Sequence, residues 1–125
     1  MTKVTGLLIV GHGSKSSDAV IEFNATVEHL AKQTRDFVVR GAHMELAQPS
    51  IPQMVEELIL QGIQHITVVP YFLFTGNHIK SDIPEILDEM KKRFPSVSFS
   101  FGKPLGFEPI LSTILLKRAQ EATAI

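Results

Sequence analysis

Residues 4–10 form a continuous apolar run that stops at Gly11-His12-Gly13-Ser14. A short apolar run ended by glycines predicts a strand covered on both faces. The spacing then changes. Val20, Phe23, Val27 and Leu30 recur at three- and four-residue intervals, which predicts a helix capped by Ser16 or Ser17, with Asp18 near the positive end of its dipole. Residues 37–45 predict a second strand, broken by Pro49-Ser50-Ile51-Pro52, which opens a second helix with Ile51, Met54, Val55, Leu58 and Ile59 as its buried stripe. Gly62 supplies the stop, and the intensely apolar residues 65–73 predict a strand at the sheet centre.

Thr75-Gly76-Asn77 opens a polar loop. Asp82, Pro84 and Glu85 at the start of a third helix, and Lys91, Lys92 and Arg93 at its end, follow the charge order that the helix dipole favours. The three basic residues are read as a solvated turn. Ile83, Ile86, Leu87 and Met90 face the core, and residues 97–101 alternate apolar side chains with serines, as an edge strand does. Phe107, Ile110, Leu111, Ile114 and Leu115 mark a last amphipathic helix. Strict alternation of strand and helix specifies an α/β fold with a parallel sheet covered by helices, a three-layer open sandwich whose four strands most simply order as 2-1-3-4. Residues 1–125 are expected to form a single domain, a size at which one core can close.

Composition narrows the chemistry more than the fold. With no cysteine, disulfides and thiolate metal sites are excluded, so imidazole and oxygen are the available ligands. A formal charge of −1 gives no electrostatic footprint for nucleic acid or an anionic membrane. The apolar runs are too short to cross a bilayer, and the segment after residues 1–3 lacks a signal-peptide cleavage pattern. A cytoplasmic protein is expected.

In a doubly wound sheet, ligands bind beyond the carboxyl ends of the strands where the strand order reverses. Here the reversal lies between strands one and three, whose outgoing loops carry His12 and His78. Both imidazoles therefore converge on one crevice and can share a metal ion. Strand two ends beside them with His43, Glu45 and Gln48; His43 and Glu45 share a face of that strand, and Glu45 is a possible accessory ligand or proton carrier. Gly11, Gly13 and Gly76 would let the backbone approach a flat ligand, and Tyr71, Phe72 and Phe74 would form an apolar wall. His65 begins strand three at the opposite sheet end and is read as structural, and His29 as solvated. Ser14 lacks a nucleophile elbow and reads as a local cap, and the glycine loop lacks both phosphate-binding signatures.

Four segments, Gly-His-Gly-Ser at 11–14, Glu-Leu-Ala-Gln-Pro-Ser-Ile at 45–51, Val-Pro-Tyr-Phe-Leu at 69–73 and Gly-Asn-His-Ile-Lys-Ser-Asp-Ile-Pro at 76–84, resemble in order the small sirohydrochlorin chelatases of the ATP-independent class II chelatase family. The resemblance implies that His12 and His78 bind the incoming metal and that His12 also accepts pyrrole protons. It further implies that Gln48, Leu73, Phe74, Thr75, Gly76, Asn77 and His78 contact the tetrapyrrole. Cobalt, nickel or iron(II) would be a substrate rather than a bound cofactor, and a homodimer is implied because longer members fuse two such units. A non-catalytic metal or tetrapyrrole carrier is the alternative, and a phosphate-ester hydrolase ranks last because Lys15 is the one basic residue next to His12 in sequence.

Overall fold

The computed structural model of the protein describes residues 4–77 and 81–125. These form β1 (Thr5–Gly11), α1 (Ser17–Gln33), β2 (Phe37–His43), α2 (Ile51–Leu60), β3 (His65–Pro70), α3 (Ile83–Arg93), β4 (Ser98–Phe101) and α4 (Pro109–Glu121). The strands pair in parallel in the order β2-β1-β3-β4, as the sequence predicts.

Alternation along the strands divides the sheet into two unlike faces. Leu8 and Val10 of β1 and Ile66 and Val68 of β3 point to one side, where they are wholly buried against Ile51, Val55 and Leu58 of α2 and Ile83 and Leu87 of α3. Each such side chain contributes roughly 1.5–3 kcal/mol relative to exposure. Local signals hold these two helices in place. Ser50 and Gln53 form a reciprocal capping box at the start of α2, and Arg93 at the end of α3 pairs with Glu56 of α2 and lies over the Phe94 ring. That pairing differs from the solvated role expected of Arg93.

The other face is thinner. α1, capped by Ser16, packs on β2 through half-buried Val20, Phe23, Val27 and Leu30. Over β3 and β4 the same face presents His65, Thr67, Ser98 and Ser100, with the His65 ring hydrogen-bonded through Nδ1 to Ser98 Oγ (2.5 Å) and through Nε2 to Ser100 Oγ (3.2 Å). One ring nitrogen donates and the other accepts, so His65 ties the two strands together, as its place at the far end of the sheet suggested. α4 buries none of its residues, and its predicted apolar stripe stays at the surface.

Two strands are shorter than the apolar pattern predicts. β2 ends at His43 rather than Glu45 because the chain turns through Leu46, at φ 66°. β3 ends at Pro70 rather than at residue 73: Pro70 has no N–H to offer, and one further bond, Tyr71 N–H to the Val10 carbonyl (2.8 Å), precedes the loop. No helix among the described residues is long and apolar enough to cross a membrane.

Because Ile66 is 0% exposed between the two best-packed helices, Ile66→Ala should cost about 2–5 kcal/mol in urea unfolding. A loss under about 1 kcal/mol would contradict this core.

Candidate functional site

β1 and β2 reach the carboxyl edge of the sheet together, Gly11 beside His43. Their backbones stay paired past the strand ends: Met44 N–H donates to the Gly11 carbonyl (3.0 Å) and Glu45 N–H to the His12 carbonyl (3.3 Å). Gly13 completes the approach. It has φ +98°, and a Cβ there would lie 1.6 Å from the Glu45 carbonyl oxygen, so no side chain fits. A Cβ on Gly11 would lie 2.8 Å from Cε1 of Phe23. The space at both glycines, expected to admit a ligand, is therefore taken by the protein's own backbone and by the Phe23 ring.

This approach sets His12 Nε2 3.8 Å from Glu45 Oε1, with both side chains about half exposed. The separation is too long for a hydrogen bond. Both atoms nevertheless lie within reach of one cation held at about 2.0–2.2 Å from each. As an exposed ion pair with a protonated imidazole, the contact would add only about 0–1 kcal/mol to stability, so its significance is chemical.

Beside His12 lies a cleft of about 170 Å³ lined by Gly13, Val20, Phe23, His43 and Tyr71. The Phe72 ring stands 5.9 Å from that of His12, which supplies part of the expected apolar wall. His43, which sequence reasoning grouped with Glu45, is 2% exposed and packs its ring 4.8 Å from Phe23. Burial lowers its pKa below the ordinary 6.5, favouring the neutral imidazole. Its partnership with Phe23 spans distant elements, and no local sequence signal announces it. Ser14 accepts a hydrogen bond from the Ser16 N–H, the local role expected of it.

The other expected ligand contacts are spread more widely. Gln48 is exposed on the β2–α2 connection, before a cis bond to Pro49, and does not line the cleft. Leu73, Phe74 and Thr75 instead form, with Phe107, Leu111 and Ile114, a groove of about 730 Å³. Gly76 and Asn77 are exposed, and the Asn77 carbonyl accepts from Ser81 Oγ (2.8 Å). His78 lies outside the described residues. Among the described residues, no three of the His, Asp and Glu side chains cluster closely enough to hold a metal ion.

The fold and site define an open parallel α/β protein whose histidine-lined cleft sits at the carboxyl edge of its central strands. The CbiX family model matches residues 6–122. Sirohydrochlorin cobaltochelatase from Methanosarcina barkeri is 33% identical over 98% of this chain and 99% of its own length. The chloroplastic sirohydrochlorin ferrochelatase of Arabidopsis thaliana is 34% identical over 92% of this chain, which spans about half (51%) of that relative's length. Among solved structures, the sirohydrochlorin chelatase from Bacillus subtilis subspecies spizizenii in complex with cobalt superposes with a TM-score of 0.90 at 34% identity, covering 94% of this chain and 50% of that one. The chain belongs to the CbiX family of sirohydrochlorin chelatases.

Two outcomes check the geometry. Gly13→Ala should destabilise the protein by about 2 kcal/mol or more, since both the left-handed φ and the contact with Glu45 are lost; unchanged thermal stability would refute the close approach. For His43, a folded pKa below the unfolded value means that its contribution is complete above about pH 6.5 and is lost as pH falls through the depressed folded value. Wild type should thus lose stability on acidification more steeply than His43→Phe, and parallel melting curves across that range would sink the assignment.

Proposed function

We propose that the protein inserts a divalent metal into a sirohydrochlorin-type tetrapyrrole without ATP, releasing two pyrrole protons, with cobalt as the first choice of metal and nickel or iron(II) as competitors. The observation that carries this reading is the 3.8 Å placement of the His12 imidazole beside the Glu45 carboxylate at the mouth of the cleft. The relative named a cobaltochelatase, matched over nearly its whole length, supports the choice of cobalt.

In this reading His12 acts twice, in sequence. Its neutral imidazole first holds the incoming cation, for which nitrogen donors suit cobalt and nickel. Once the cation has passed to the macrocycle, the freed ring nitrogen accepts a pyrrole proton, the base role for which imidazole is the commonest side chain. Glu45 shares the cation and carries protons outward, and His78 supplies the second imidazole. Gln48, Leu73, Phe74, Thr75, Gly76 and Asn77 contact the tetrapyrrole. The enzyme works in the cytoplasm as a homodimer.

Anaerobic absorbance of sirohydrochlorin with each metal and catalytic amounts of protein tests the reading. Multiple turnovers are expected, with His12→Ala slowed about 100-fold or more and His78→Ala strongly impaired. Glu45→Gln should retain turnover but require more metal. Rates equal to the protein-free blank would overturn the proposal, and stoichiometric binding without turnover would replace it with a carrier.

A further inference from the structure

Along a strand, residues two apart share a face, and residues in register on paired strands stand side by side. His65 is in register with Ser98, and Ser100 lies two residues further along the same face, while Phe99 between the serines turns into the core. The imidazole is thus held by a hydroxyl at each nitrogen. Ser98 Oγ stands 2.5 Å from Nδ1 and Ser100 Oγ 3.2 Å from Nε2.

The two distances place the protons. Bonds in which nitrogen donates to oxygen span about 2.7–3.2 Å, whereas hydroxyl donors come as close as about 2.5 Å. The short contact therefore has the Ser98 hydroxyl donating to Nδ1, which leaves Nε2–H to donate to Ser100. The competing acceptor for the Ser98 hydroxyl, the Gln64 carbonyl, is 3.5 Å away and loses to the ring. A hydroxyl bonded to an imidazole whose other nitrogen is oriented by a third group is the arrangement of an activated nucleophile.

We propose that Ser98 is a nucleophilic residue, with His65 as its base and Ser100 as the positioning residue, and that it takes an acyl group from a small neutral ester. Ser98 is exposed and opens, with His65, on a cavity of about 310 Å³ lined also by Val4, Thr5, Gln64 and Ser96. None of these side chains carries a full negative or positive charge beside the imidazole, which favours a neutral guest, and the volume suits a short acyl chain. Oγ adds to the ester carbonyl carbon as its proton passes to Nδ1, and the alcohol leaves with that proton. Water then adds to the acyl carbon, its proton passes through Nδ1 to the departing Oγ, and the carboxylic acid is released. The hydroxyls of Thr5 and Ser96 and the carboxamide of Gln64 are donors of the kind that hold a developing oxyanion. His65 starts β3 at its amino end, whereas His12 follows β1 at the carboxyl edge, so this site does not rest on the metal-insertion reading.

The full chain, free of metal and tetrapyrrole, is tested with p-nitrophenyl acetate and, separately, with an alkyl fluorophosphonate, which loses fluoride to an activated serine. Nitrophenolate should appear faster than in buffer, and peptide mass spectrometry should place the phosphonyl adduct on Ser98. Ser98→Ala and His65→Gln should each lower the enzymatic rate about 100-fold or more, and the double variant should be no slower than either, as for groups that act as a unit. Ser100→Ala should slow acylation and Ser100→Thr restore it, with circular dichroism unchanged because these side chains lie at the surface. A wild-type rate equal to buffer, an adduct on another residue, Ser100→Ala as fast as wild type, or Ser98→Ala as fast as wild type, in which case the imidazole alone attacks the ester, would each overturn the proposal.

Discussion

The site depends on a steric constraint between two backbones. Gly13 lies so close to the Glu45 carbonyl that no Cβ can stand between them, and the Met44 and Glu45 N–H groups close the remaining gap to β1. The loops leaving β1 and β2 are thus held as if the sheet ran on past its formal end. An imidazole and a carboxylate that are far apart in the chain meet at 3.8 Å because neither parent loop is free to move away. Without this contact, each would be an ordinary polar side chain at a strand end.

What anchors these loops lies below them. β1 is the hub of the sheet, paired on both sides, and its Leu8 and Val10 are wholly buried against α2 and α3. Phe23 works from the other face, filling the space beside Gly11 and packing on His43. The cleft is therefore floored by side chains fixed by burial, while its donors at the rim stay half exposed. The proposed double role of His12, as ligand and then as base, would need that access to solvent.

Much of this is legible in the sequence because the signals are local. The apolar run before Gly11, the Pro-Ser-Ile-Pro break and the charge order of α3 each name an element directly, and strict alternation then makes 2-1-3-4 the simplest sheet order, which the structure adopts. His12 was legible because two glycines isolate it at a strand end. The strand ends were misread where a single residue cut the apolar signal short, through a proline's missing N–H in β3 and a left-handed Leu46 in β2. The roles of Gly11 and Gly13 were hidden for a different reason. A glycine shows that something comes close without showing what, and here the neighbours are Phe23 and Glu45, reached only through the fold. The stripe on α4 was visible as an amphipathic helix, but its place at the surface depends on where the connection through Leu105 and Gly106, bonded to the Phe72 and Leu73 carbonyls, leaves the helix.

The unlike faces of the sheet give the molecule a stiff back and a compliant front. Every residue of the main buried cluster lies in or between the strands and the two helices behind them, so opening that half requires global unfolding. The front helix α1 buries no residue completely and can shift at small cost. Side chains rooted in the stiff half, His12 and Glu45 among them, can keep their spacing while the front gives way, so that movement on one face need not disturb the geometry at the carboxyl edge.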